Sequence, residues 1–180
     1  MLDLPVLIRP CPKQGERYRP WVVETGGRAQ FPFLVDPNDS ERSRGFYESG
    51  EILEHLFDRY GSGTVPRSLR LPLLPLLPLL TTQLGALLRL RRGVTRRASR
   101  APAQPLELCG FEADPGSRLV RERLCELELP YLLRNCARGS SEQRRSPLPR
   151  LLDPNSGREL TDPQAISRYL EESYADSPLP

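Results

Sequence analysis

Leu127–Cys136 reads LELPYLLRNC, and Leu2–Cys11 reads LDLPVLIRPC. Leu2, Leu4, Pro5, Leu7, Arg9 and Cys11 all recur 125 positions later. A second block repeats in the same order, Phe31–Asn38 (FPFLVDPN) against Leu148–Asn155 (LPRLLDPN). A third is looser, Tyr47–Phe57 (YESGEILEHLF) against Leu160–Leu170 (LTDPQAISRYL). Three blocks in matching order mark an internal repeat, so the chain reads as two copies of one fold. In the second copy a strand and a helix, from about Leu106, precede the first block; in the first copy only Met1 does. Copy one is therefore expected to begin inside its own fold.

The segments follow from periodicity and punctuation. In copy one, Leu4–Arg9 is a short apolar run ending at Pro10, the pattern of a buried strand. Pro12–Gly27 reads as a loop and short helix, and Phe31–Val35 as a strand closed by the turn Asp36-Pro37-Asn38. Gly45–Glu48 reads as a short strand. Ser49 then caps a helix with Ile52, Leu53, Leu56, Phe57 and Tyr60 on its inner face, stopped at Gly61. In copy two, Leu106–Phe111 is a strand and Pro115–Leu127 a helix with Leu119, Val120, Leu124 and Leu127 as its inner stripe. Pro130–Cys136 and Pro149–Leu152 are strands, and Asp162 caps a last helix that starts at Pro163. The second helix of this copy is expected to be truncated, because the interval from Cys136 to Pro149 is shorter than that from Cys11 to Pro32. The order βαβ, short helix, ββα implies an α/β fold, a small mixed sheet with helices packed on it. The expected organisation is a partial module over 1–61, a connector over 62–104 and a second module over 105–176.

Composition narrows the chemistry. The net charge is only +3, and every basic side chain except Lys13 is arginine. Arginine forks onto carboxylates and anions, so this usage serves ion pairs or anion binding, or simply reflects a GC-rich coding sequence. Cys11, Cys109, Cys125 and Cys136 form no C-x-x-C pair, and His55 is the one histidine, which argues against a zinc site. Free, mostly buried thiols in a reducing compartment are expected. The opening Met1-Leu-Asp-Leu-Pro lacks the basic flank and apolar core of a secretory signal.

Leu71–Leu88 carries no charge, which meets the length for a membrane span. Pro72, Pro75 and Pro78 recur every third residue and disrupt a regular helix. The stretch reads as an apolar connector with polyproline II character, leading into a short helix from Thr81 to Leu90. Arg89, Arg91, Arg92, Arg96, Arg97 and Arg100 follow, either as a solvated tether or as a surface for anionic headgroups. No aromatic residue interleaves with them, so recognition of a specific nucleic acid by stacking is not expected.

The block QFPFLVDPN…YESGEILEHLFDRYG resembles the N-terminal, thioredoxin-like domain of glutathione S-transferases. In that family a residue precedes a cis-proline and a Glu-Ser pair starts the last helix; here those are Phe31-Pro32 and Glu48-Ser49. PLELCGFEADPGSRLVRERLCELELPYLLRNCARG resembles the opening strand, helix and second strand of the same domain. The whole is similar to plastid and cyanobacterial proteins with two such domains in tandem. The resemblance implies two thioredoxin-like modules, the first lacking its opening strand and helix. It implies glutathione as ligand or substrate, and a plastid or cytoplasmic location.

The chemistry of such a site is specific. A cis X-Pro bond presents the preceding backbone N–H and C=O to an extended peptide, and glutathione is one. A helix start offers free N–H groups to a carboxylate. Ser49 would add a hydrogen bond there, and Glu48 would hold the ligand's ammonium. The matching residues of copy two are Leu148, Pro149 and, through Thr161-Asp162, Asp162. The alternative is that Ser49 is only a helix cap and Glu48 a surface acid. Catalysis in related domains uses a Cys, Ser or Tyr near the start of the first helix. Copy two has Asp114-Pro115-Gly116-Ser117 there, so Ser117 is the candidate catalytic residue, with Asp114 set to repel a thiolate. The expected function is a glutathione-binding protein of transferase type with weak or lost transferase or thiol-oxidoreductase activity. The rival is a non-enzymatic binding or scaffold module, associated with a membrane surface through 71–100.

Overall fold

The computed structural model describes residues 2, 4–39, 45–66, 93–136 and 147–176. The apolar connector Leu71–Leu88, its helix from Thr81, the Arg89–Arg92 part of the basic run and the short second helix of copy two lie outside these residues. No helix among the described residues is long and apolar enough to cross a membrane. The chain divides into two units, Met1–Leu2 with Glu16–Arg89, and Asp3–Gly15 with Leu90–Pro180.

The larger unit is built on β2 (Leu106–Gly110), whose Leu106 and Leu108 are fully buried. β3 (Tyr131–Asn135) runs parallel to it, from Leu106 opposite Tyr131 to Gly110 opposite Asn135. β4 (Arg150–Asp153) pairs antiparallel on its other side, and β5 (Arg158–Leu160) pairs antiparallel with β4. β1 (Val6–Ile8) closes the far edge, antiparallel to β3, giving the order β1-β3-β2-β4-β5. Thus the opening strand of copy two lies between its second and third strands, as the βαβ–ββα order requires.

Two helices cover this sheet. The helix Pro115–Glu126 buries Val120 and Leu124, and Pro163–Tyr174 buries Ile166, Tyr169, Leu170 and Tyr174. Each begins with a proline, whose missing N–H would be unpaired there anyway. Each is capped by an aspartate: Asp114 accepts from the Ser117 N–H at 2.5 Å, and Asp162 from the Ala165 N–H at 2.7 Å. The i, i+3, i+4 spacing of their apolar residues directs one stripe of each onto Leu106, Leu108 and Leu151. Truncating a fully buried leucine here, such as Leu108 to alanine, costs about 2–5 kcal/mol.

The smaller unit holds two further helices. In chain order we call Arg19–Gly26 α1, Ser49–Tyr60 α2, Pro115–Glu126 α3 and Pro163–Tyr174 α4. α1 stops at Gly27, which takes φ 85°, a left-handed conformation open to glycine. The expected strands Phe31–Val35 and Gly45–Glu48 reduce to one bridge between Leu34 and Phe46, whose N–H groups donate to each other's carbonyls at 2.9 and 2.8 Å. A ladder needs a neighbour on at least one long edge. Among the described residues of this unit no strand plays the part that β2 plays in the other. Aromatic packing serves instead, with Phe33 against Trp21 and Tyr47, and Phe46 against the His55 ring.

Two expected boundaries differ from the structure. Leu4–Arg9 was expected within a module over 1–61, yet β1 lies in the sheet of the larger unit. The basic run was read either as a solvated tether or as a surface for anionic headgroups, and its described part is bonded down in that unit. Arg96 pairs with Glu128 at 3.2 Å, Arg97 pairs with Glu171, and the Arg100 Nε donates to the Ser173 carbonyl at 2.8 Å.

Candidate functional site

The bond Phe31-Pro32 is cis, and so is Leu148-Pro149. In the smaller unit, Gln30 just ahead of that pair donates through Nε2 to Glu48 Oε1 at 2.5 Å. That bond brings the Phe31-Pro32 segment to the start of α2. The Tyr47 hydroxyl reinforces the approach by donating to the Arg28 carbonyl at 2.9 Å. The Arg19 guanidinium lies 4.8 Å from the ring centroid of Phe31, which is 38 % exposed. Arg28 lies 4.5 Å over the Tyr47 ring. Both are at cation–π distance, so two positive charges flank this corner.

The N-cap of α2 is Glu48, in extended conformation, and its side chain makes no bond to the helix. The sequence placed the cap at Ser49; the structure makes Ser49 the first helical residue. Glu48, Ser49 and Gly50 are all exposed, and a Cβ on Gly50 would meet nothing within 4 Å. The first-turn N–H groups of a helix have no partner within the helix. Here no side chain caps them, and the residues around them are exposed, beside a carboxylate that Gln30 bonds.

The corresponding corner of the larger unit is filled. A Cβ on Gly116 would stand 2.7 Å from Pro163 and 3.0 Å from Pro149, so the start of α3 is packed against both prolines. Thus Ser117, Pro149 and the Asp162-Pro163 helix start do converge, as the sequence pattern expects. Ser117, however, is fully buried, and its hydroxyl donates to Asp114 Oδ2 at 2.7 Å. A Cβ on Gly110 would lie 2.6 Å from the Ser117 hydroxyl, which leaves no room above it. The Asp162 carboxylate caps α4. Both helix starts in this unit are therefore occupied by the chain's own carboxylates, where an incoming anion would meet like charge.

The helix boundaries also revise the repeat. Glu48 matches Asp162 and Ser49 matches Pro163, one residue away from the pairing of Glu-Ser with Thr161-Asp162. The shift aligns a second set of residues that sequence reasoning missed. Asp36 accepts hydrogen bonds from His55 Nε2 at 2.8 Å, the Tyr60 hydroxyl at 2.9 Å and the Asn38 N–H at 2.9 Å. Asp153 accepts from the Tyr169 and Tyr174 hydroxyls, each at 2.5 Å, and from Asn155 through its N–H and Nδ2, each at 2.8 Å. Burial pushes both carboxyls up, but the bonds from His55, Asn38 and Tyr60, and from Tyr169, Tyr174 and Asn155, outweigh it. Both are held below the ordinary carboxylate value. The signal in the sequence was the repeated Asp-Pro-Asn, which was read only as a turn.

The cysteines correct another expectation. Cys109 and Cys136 were read as free packing thiols; the structure joins them in a disulfide. Cys109 lies on β2 and Cys136 directly follows β3, its parallel neighbour, where the Cys136 N–H donates to the Gly110 carbonyl at 3.0 Å. Proximity of neighbouring strands, not a C-x-x-C spacing, makes this pair. Cys11 and Cys125 carry thiols, and burial, then the neighbouring Cys11, Glu126 and Glu128, push the Cys125 thiol up to about 11.

The βαβ–ββα order, central opening strand and cis-prolines define a thioredoxin-like α/β fold. Residues 1–64 match the family described as Glutathione S-transferase, N-terminal domain. Neither the curated proteins nor the solved structures include a match to this chain.

Proposed function

We propose that the chain is a glutathione-binding protein of transferase type whose binding corner lies in the smaller unit, at Phe31-Pro32 and the start of α2. The observation that carries this reading is the Gln30–Glu48 bond, which sets the Pro32 segment beside an uncapped, exposed helix start. The ligand's γ-glutamyl carboxylate would take the first-turn N–H groups and the Ser49 hydroxyl. Its ammonium would take Glu48, and its extended backbone would pair along Phe31.

Turnover is proposed to be weak or lost. The start of α3, where a thiolate would be stabilised, presents the Asp114 carboxylate, and Ser117 has its proton bonded to that carboxylate. The larger unit then serves as a scaffold. Isothermal titration of glutathione into the full chain tests the reading. Binding that weakens about tenfold in Ser49→Ala, equivalent to about 1.4 kcal/mol, and also weakens in Glu48→Ala supports it. Binding unchanged in both variants removes it.

A further inference from the structure

The sequence repeat has a geometric counterpart in β1 and β3. Val6 faces Leu133, Leu7 faces Leu132, and Ile8 faces Tyr131. In the repeat, Leu7 is the equivalent of Leu132, Val6 of Tyr131, and Ile8 of Leu133. Val6 therefore faces the equivalent of Ile8, Ile8 the equivalent of Val6 and Leu7 its own equivalent, so a local two-fold passes between Leu7 and Leu132. Continuing the register one step sets Arg9 against Pro130 and Pro5 against Arg134, again exchanged by that two-fold. This is the pattern of an isologous interface, in which one surface meets its own copy. Two segments of one chain supply it here.

The fit is specific in register. A one-residue slip would turn every side chain to the opposite face, and the two-fold would be lost. Of the residues that the two segments share, Leu7 is set against Leu132, and the register carried on by one residue at each end sets Pro5 against Arg134 and Arg9 against Pro130. A strand with the sequence of β3 is thus already seen, in near-copy, on the edge of β3. The cover is also slight. β1 is three residues long, and Leu7 at its centre is 43 % exposed. The edge beneath it, Tyr131–Leu133, is apolar, and an open apolar edge pairs with another chain.

We propose that the outer edge of β3 is a self-association surface, closed within the chain by β1 and taken by β3 of a second copy when β1 is withdrawn. In that dimer Leu132 faces its own copy, and Tyr131 faces Leu133 of the other chain. The partner is fixed by sequence self-complementarity, since the two-fold that relates β1 to β3 would relate β3 to β3.

The test is the mass in solution of the full chain, by sedimentation, with free thiols alkylated and folding checked by circular dichroism. Two variants withdraw β1: Leu7→Pro, whose ring disfavours a strand interior, and Ile8→Asp, which charges an apolar position of the strand. The wild type is expected to run as a monomer, and either folded variant at twice that mass. Adding L132K sets like charges directly opposite each other in the dimer but only opposite Leu7 in the monomer, so it returns the doubled mass to one. A folded variant that stays monomeric overturns the proposal, and so does a dimer that L132K leaves intact. Failure of both variants to fold also overturns it, because an edge that exists only when covered by β1 has no open form for a second copy to meet.

Discussion

His55 holds the Asp36 carboxylate at 2.8 Å from the same helix position that Tyr169 uses to hold Asp153 at 2.5 Å. Further along the same helices, Tyr60 and Tyr174 complete the two clusters. Each ties the turn after a hairpin strand to the helix that closes its copy. The two clusters thus share their helix positions as well as the Asp-Pro-Asn sequence.

Acid stability follows from the sign of the carboxyl shifts. Asp36 and Asp153 are held below the ordinary value in the fold, while an unfolded aspartate titrates near about 3.9. Above that pH their contribution is fully present; it is lost as the pH falls through the lower, folded value. Urea unfolding between pH 2 and 7 will show this loss, and Asp153→Asn will flatten it. At neutral pH the same substitution will cost about 1.5–3 kcal/mol, the worth of hydrogen bonds to a charged group.

The tyrosines respond at the other end of the scale. Burial, then the Asp153 carboxylate, push Tyr169 and Tyr174 up, and burial pushes Tyr131 up. The neutral phenols are favoured by the fold, so native stability will fall as the pH rises above about 10, where an unfolded tyrosine ionises. Spectrophotometric titration will find these three ionising later than an ordinary tyrosine. Tyr174→Phe will leave one fewer late-ionising group and a weaker hold on Asp153.

Thiol reactivity will divide the cysteines. Cys109 and Cys136 will take up alkylating reagent only after reduction. Cys125 will react slowly at neutral pH, because its thiol is pushed up to about 11 and the thiolate is the reactive form. Replacing Cys109 and Cys136 together by alanine will cost about 3–4 kcal/mol on a chain-entropy reckoning. Mass spectrometry of differentially labelled peptides reads the first two outcomes, and denaturant midpoints the third.

The start of α3 offers a direct test of the blocked thiol position. Asp114→Ala will remove a cap that bonds both the N–H and the hydroxyl of Ser117, costing about 1 kcal/mol. Ser117→Cys alone will gain no glutathione-dependent disulfide reduction, since the side chain is buried and faces that carboxylate. Activity appearing in the single variant would show that the site is more open than its geometry indicates.

Much of the architecture was legible because periodicity and punctuation agree. Pro115 and Pro163 start helices, Asp114 and Asp162 cap them, and the stripes Val120/Leu124 and Ile166/Leu170 face the sheet. The Phe31-Pro32 and Glu48-Ser49 pairs were legible as sequence, although the bond from Gln30 to Glu48 was not. What the sequence could not show depended on contacts between distant residues. Cys109 and Cys136 are 27 positions apart and meet only because parallel strands set them side by side. His55 looked like an isolated imidazole until α2 carried it to Asp36. Ser117 looked available until Gly110 and Pro149 closed over it. Phe31–Val35 had the composition of a strand and lacked the neighbour that makes one.

The seven residues from Val94 to Arg100 join three remote places. The Lys13 N–H donates to the Val94 carbonyl at 2.7 Å, the Arg97 N–H to the Glu126 carbonyl at 2.8 Å, and the Arg100 N–H to the Tyr174 carbonyl at 2.9 Å. The Asp176 N–H returns a bond to the Ala98 carbonyl at 3.1 Å. This strip is a seam sewn through both extremities of the larger unit, so neither can fray by itself. A protease that nicks the backbone ahead of Gly93 would leave the stitched fragment in place, and mechanical pulling on it would have to shear the seam before either end came loose.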